Sequence, residues 1–184
     1  SFRLSARGSR AKSKSRTSPS FRPSCLAQPA GISSTERAPR QAESLQDSFL
    51  DVLALDAQHV VALGAYGLFV TTADGGKTWT RRKIADDDYH LNRITRGPGG
   101  TLYIAGEHGT LLQSRDHGAT WQRIDSPYDG SFYGILPLDA STLVAFGLRG
   151  RIYRSTDDGA SWSIVPNDLR VLIATAIRAR NGTL

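Results

Sequence analysis

The sequence contains one cysteine and no methionine in 184 residues. Cys25 on its own forms no internal disulfide and no cysteine-rich metal knuckle. No run approaches the ~18 consecutive apolar residues a spanning helix needs, so the sequence predicts no transmembrane span. No stretch carries a helical stripe of apolar residues, which excludes a helix bundle. The sequence starts at Ser1 without any methionine, which predicts that the natural start lies elsewhere and that the chain is a fragment. Acids are nearly missing from residues 1–46, where nine Lys/Arg face only Glu36 and Glu43. The remaining 138 residues hold 14 basic and 15 acidic groups, so the net charge of +6 belongs to this tail.

Ser, Arg and Pro dominate residues 1–46, and the scattered apolar positions cannot offset the entropy of ordering them. The expectation is a disordered basic tail. A linker or cloning-frame sequence, an Arg/Ser-rich transit peptide, the remnant of a secretory signal and a nucleic-acid arm are the competing readings. The secretory reading lacks an apolar core before Ala27-Gln28-Pro29-Ala30, and the nucleic-acid reading lacks aromatic interleaving beyond Phe2 and Phe21. No nucleic-acid partner is expected.

From Asp47 the sequence repeats. The three units are Gly64-Ala-Tyr-Gly67 through Asp74-Gly-Gly76-Lys-Thr78-Trp79, Gly106-Glu-His-Gly109 through Asp116-His-Gly118-Ala-Thr120-Trp121, and Gly147-Leu-Arg-Gly150 through Asp157-Asp-Gly159-Ala-Ser161-Trp162. Their tryptophans stand 42 and 41 residues apart, the length of one four-stranded propeller blade. Each unit parses into four short β-rich runs bounded by turn residues. The predicted runs are Phe49–Leu55, His59–Leu63, Leu68–Thr72 and Thr78–Ile84 in the first unit. They are Leu91–Thr95, Leu102–Ala105, Thr110–Gln113 and Thr120–Ile124 in the second, and Phe132–Leu138, Thr142–Phe146, Arg151–Ser155 and Ser161–Val165 in the third. The fold class is therefore all-β, a propeller with blades at 47–85, 86–125 and 126–166. Residues 167–184 begin a fourth, in which Leu172–Arg178 match Leu91–Thr95 and the chain stops within the second strand. Closed propellers need about 4–8 blades. The rest of the ring is expected to lie outside this chain.

The phrase Ser/Thr-x-Asp-x-Gly-x-Ser/Thr-Trp has a local logic. The carboxylates of Asp74, Asp116 and Asp157 are expected to accept N–H bonds from two or three residues ahead and a bond from a nearby hydroxyl. Gly76, Gly118 and Gly159 supply positive φ. Trp79, Trp121 and Trp162 then cover the hairpin and pack against the next blade. These residues are read as scaffold.

On these residues, the chain from 47 to 184 resembles the Asp-box, or BNR, propellers. The fuller phrase that opens with Gly-x-x-Gly is most similar to the photosystem II stability/assembly factor family and its relatives in non-photosynthetic bacteria. The resemblance implies a non-enzymatic binding or assembly module with no cofactor, whose partner is a protein and specifically a membrane-protein assembly intermediate. A glycan is the alternative ligand class. It also implies an extracytoplasmic location: periplasm, thylakoid lumen or secreted.

Propeller topology gathers the loops between second and third strands with the linkers between blades, and puts the Asp-box turns at the other end. The first class offers Tyr66, Glu107, His108 and Arg149. The linkers offer Asp86, Asp87, Asp88, Tyr89, His90, Tyr128, Asp129, Asp168 and Arg170. Rings beside charges suit a protein- or glycan-binding face, and ordinary polar loop surface is the bland reading. Arg93, Arg96, Arg178 and Arg180 fall on or beside innermost strands and would line the axis as a basic strip, a feature the resemblance also implies; salt-bridged rim arginines are the alternative. Asp86-Asp87-Asp88 with His90 lacks the spacing of a calcium loop, so no metal is expected. The second function class is a sialidase- or xyloglucanase-like glycoside hydrolase. Against it, the first unit has Asp51-Val52-Leu53-Ala54-Leu55 where a sialidase carries an arginine segment. An inverting pair would have to come from carboxylates such as Asp88 and Asp129. No catalytic residue is assigned.

Overall fold

A computed structural model of the chain describes residues 47–177. The tail 1–46 and the positions Arg178 and Arg180 lie outside the described residues.

Three four-stranded antiparallel sheets follow one another along the chain, each in sequential order. The first holds β1 (Phe49–Ala54), β2 (Val60–Gly64), β3 (Phe69–Thr72) and β4 (Thr80–Arg81). The second holds β5 (Leu91–Arg96), β6 (Leu102–Gly106), β7 (Leu111–Ser114) and β8 (Gln122–Arg123). The third holds β9 (Phe132–Pro137), β10 (Leu143–Gly147), β11 (Ile152–Ser155) and β12 (Ser163–Ile164). Three propeller blades at the expected period are what the repeat demanded.

Alternation of side chains along a strand explains the stacking. In β6, Ile104 enters a core with Val61, Leu63 and Phe69 of the first blade, while its neighbours Tyr103 and Ala105 enter a second core with Phe132, Ile135 and Tyr153 of the third. A blade buried on both faces needs apolar residues at every position, and all of β6 is buried. Innermost strands carry a register shift at equivalent places: between Phe49 and Asp51, between Leu91 and Arg93, and opposite Phe146/Gly147. The extra residue re-aims its side chain sideways. Asn92, in the second of these shifts, donates from Nδ2 to the Phe132 carbonyl of the next blade (2.7 Å), and Asp51 Oδ2 accepts the Ile94 N–H (2.9 Å).

Three expectations need correction. The outermost strands are two residues long, where runs of five to seven were predicted. They pair on one side only, and the Asp-box turn consumes their first residues. The tryptophans pack backward instead of forward: Trp121 meets Phe69 of the preceding blade edge-on at 5.7 Å, and Trp162 Nε1 donates to the preceding blade's Asp125 carbonyl (3.0 Å). Trp79 bonds within its own turn, to the Gly76 carbonyl (3.1 Å). Finally, the described part of Leu172–Arg178 is not a strand. A strand needs a ladder partner, and the backbone bonds found here run from Gly150 N–H to Val171 O and from Ile173 N–H to Gly147 O, to the preceding β10–β11 hairpin.

Candidate partner-binding face

The Asp-box end of each blade is chemically closed. Asp116 accepts the Ser114 hydroxyl (2.8 Å), the Thr120 N–H (2.8 Å) and the Thr120 hydroxyl (2.6 Å), while Ser114 Oγ accepts the Gly118 N–H (2.8 Å). The same cycle recurs around Asp74 and Asp157. The backbone donor sits four residues after the aspartate, not two or three as expected, because the hydroxyl two residues before it takes the glycine N–H. Gly76, Gly118 and Gly159 have φ of 90°, 89° and 89°. Hydrogen bonds, led by the hydroxyl of Thr78, Thr120 or Ser161, hold all three carboxyls down at a pKa of about 2. Three of the roughly four acceptor positions of each carboxylate are thus taken up within its own turn.

The opposite end is built differently. In each blade, consecutive residues at the tip of the second hairpin are left-handed: Tyr66-Gly67 (51°, 67°), His108-Gly109 (48°, 67°) and Arg149-Gly150 (58°, 70°). Two successive positive φ values define the turn whose twist matches an antiparallel hairpin. A bulky residue at the first position is strained, and it stands at the tip. The first glycine of the phrase has another purpose: a Cβ on Gly106 would lie 2.5 Å from the His90 carbonyl. That gap lets the incoming linker run alongside the hairpin, and Glu107 N–H donates to His90 O (3.0 Å). The outgoing linker docks on the far side, with Gly67 N–H on Tyr89 O (3.0 Å) and Gly109 N–H on Gly130 O (2.9 Å).

These clamps bring the two loop classes together as the topology predicted. The Tyr66 ring meets His90 edge-on (4.9 Å between centroids), and Tyr89 lies over His108 (4.3 Å). His90 Nδ1 is 3.1 Å from Glu107 Oε1, and the His90 N–H donates to Oε2 of the same carboxylate (3.2 Å). Two further ion pairs border the rings, Arg123 with Asp87 (3.2 Å) and Lys83 with Asp88 (3.7 Å). Tyr128 is half-buried and packs on Phe132 and Tyr153, so it serves the core between blades more than the surface. Asp129 lies beside it on the second linker, and Asp168 and Arg170 share a recess with Arg149. Among the described residues, no group of three or more His, Cys, Asp or Glu is arranged to hold a metal ion.

Arg93 and Arg96, expected along the axis or as salt-bridged rim arginines, are tied to neighbouring segments. Arg93 Nε lies 3.6 Å from Asp51 and its Nη2 donates to the Ala174 carbonyl (3.4 Å), while Arg96 donates to Leu55 O (3.2 Å). Several binding contacts between blades escaped the sequence reading. Arg82 grips the Gly118 carbonyl of the next Asp-box turn (2.8 Å), and Asp158 gathers Tyr103, Gln113 and Arg115 of the preceding blade. Burial, ahead of the Asp158 charge, pushes the Tyr103 phenol up. Asp158 fills the variable position of Asp-x-Gly, where Gly75 and His117 stand in the other blades, so no repeat signal marks it.

Residues 35–184 match the family model described as photosynthesis system II assembly factor YCF48. The chain belongs to this family. It is similar to the photosystem II assembly lipoprotein Ycf48 of Synechococcus sp. (strain CC9902), 30% identical over 140 residues that cover 73% of the chain and 41% of that protein. Among solved structures it resembles YCF48 bound to D1 peptide, with TM-score 0.59 and 28% identity over 68% of the chain and 42% of that one. A resemblance to an ancestral GH74 enzyme, at TM-score 0.53, 16% identity, and 65% and 18% coverage, shows the propeller fold alone. The chain thus spans about two fifths of the length of the Ycf48 proteins it matches.

Proposed function

We propose that the chain is the recognition part of a non-enzymatic photosystem II assembly factor, located on the extracytoplasmic side of a membrane, and that it engages a subunit polypeptide through its hairpin-tip face. The observation that carries this reading is membership of the Ycf48 family over residues 35–184. A relative solved with D1 peptide supports a peptide as the ligand class, and a relative named as a lipoprotein supports the location. The face suits the task because Tyr66, His108 and Tyr89 offer rings already fixed by the turn and by their neighbours, so little side-chain entropy is lost on binding. Arg93 and Arg96 flank the axis as secondary contacts. The GH74 resemblance favours no hydrolytic reading.

A titration of the chain with a D1 peptide, followed by fluorescence anisotropy, tests the proposal. Tyr66→Ala with His108→Ala is expected to weaken binding at least about ten-fold, the loss of ~1.4 kcal/mol. Arg93→Glu with Arg96→Glu is expected to weaken it less. Absence of binding by the unaltered chain, or equal affinity of the hairpin-tip variant, overturns the reading.

A further inference from the structure

The two interfaces between blades are filled differently beside their linkers. Between the second and third blades, the ring of Tyr128 stacks on Tyr153 (6.0 Å between centroids, 25° between planes) and meets Phe132 edge-on (5.8 Å). Between the first and second blades, the repeat puts Asp87 and Leu112 at the equivalent positions. Asp87 stands four residues before β5 as Tyr128 stands four before β9, and Leu112 is the second residue of β7 as Tyr153 is of β11. A carboxylate and an isobutyl group do not fill the volume of two phenol rings, and a groove of about 370 Å³ lined by both residues opens there. Both of its walls belong to complete, adjoining blades. Ile84, Ala85 and Trp121 stand half-buried along it and pack on the core beneath.

We propose that this groove takes an aromatic side chain of the partner polypeptide, carried next to a lysine or arginine; the assignment rests on a polypeptide as the ligand class. A ring placed there restores the packing that Tyr128 and Tyr153 give the next interface, against the apolar floor of Ile84, Leu112 and Trp121. Arg123 stands at the edge, held by Asp87 (3.2 Å) and by the His108 carbonyl (3.5 Å), which fixes a guanidinium beside the ring for cation–π contact. Charge sets the flanking residue. Arg123 also lines a second recess, on its far side, with Asp125 and Asp129. Asp86, Asp125 and Asp129 have no ion pair or hydrogen bond from their carboxylates to any described residue, while Lys83 and Arg123 are already paired with Asp88 and Asp87. The excess of carboxylates favours a cationic neighbour and opposes an acidic one. His108 joins the groove to the hairpin tip, so one extended segment can engage both.

Amide chemical-shift mapping on the isotope-labelled chain, with capped model peptides Gly-Lys-Trp-Lys-Gly, Gly-Lys-Leu-Lys-Gly and Gly-Glu-Trp-Glu-Gly, tests this separately from the D1 titration. The lysine–tryptophan peptide is expected to shift residues 84–87 and 123 and to bind about ten-fold more tightly than the leucine peptide. The glutamate peptide is expected to bind more weakly, by a margin that shrinks as salt rises. Asp87→Tyr, which supplies from the chain itself the ring found in the next interface, is expected to lower affinity at least about ten-fold. Asp87→Asn leaves the groove open and is expected to lower it at most about three-fold. Asp87 is exposed, and circular dichroism confirms that both variants keep their strands. No shifts at residues 84–87, equal binding of the leucine peptide, or equal loss in the two Asp87 variants overturns the proposal, the last because it marks a carboxylate contact in place of a ring site. Failure of the D1 titration alone removes the hairpin-tip reading and leaves the mapped groove standing; failure of the mapping alone removes the groove.

Discussion

An Asp-box carboxylate lies at the surface and yet accepts three hydrogen bonds from its own turn. That combination makes its titration a reporter of folding. Asp74, Asp116 and Asp157 titrate at about 2 because hydroxyl and backbone donors favour the charged form. Asp56 and Asp139 do the same in the first hairpins of the outer two blades, each held by two backbone N–H groups. A depressed folded-state pKa contributes stability above the unfolded value of 3.8, and that contribution is lost as pH falls through about 2. The thermal midpoint is therefore expected to be flat above about pH 5 and to drop steeply from about pH 4 to about pH 2. Asp116→Asn is expected to lower the midpoint at neutral pH and to flatten the acid slope. An unchanged slope in that variant would remove the carboxylates as its cause.

Hairpins and linkers, the next level up, show how far the sequence alone reaches. Gly-x-x-Gly announced a tight connection, and the repeat placed it at one end of every blade. What the spacing could not convey is that the two glycines face different linkers: Gly106 makes room for the incoming one, and Gly109 for the outgoing one, where an added Cβ would meet Tyr128 O at 2.4 Å. Such contacts join segments some 20 residues apart and belong to the blade's neighbours, not to its own period. The same reason hid the backward packing of Trp121 and the reach of Arg82 and Asp158. Gly109→Ala combines a positive φ with that clash. It is expected to cost more than about 1 kcal/mol by urea unfolding and to shift the Tyr89–His108 stack, visible in near-ultraviolet circular dichroism. Retention of both stability and the aromatic signal would show that the linker is not clamped there.

At the scale of the molecule, a stack of sheets is quasi-one-dimensional, and each blade gains stability from the neighbours it touches. Blade count, strand order and the separation of the Asp-box turns from the hairpin tips were readable from the period. Which blade would be sheltered most was not, because that depends on what covers each face. The second blade is covered on both sides: every residue of β7 is buried, whereas β3 is buried only at its ends and β11 exposes Arg154. The contacts made by Asn92, Gln113 and Tyr103 toward the third blade, and by Ile94 toward Asp51 of the first, converge on it as well. Opening β6 and β7 thus requires breaking two interfaces, while opening β2–β3 or β10–β11 breaks one. Amide exchange, which reads the free energy of such local openings, is expected to be slowest in Leu102–Gly106 and Leu111–Ser114 and fastest in the two-residue outer strands. Equal protection across the three blades would mean that they open as one cooperative unit and that coverage by neighbours does not set local stability.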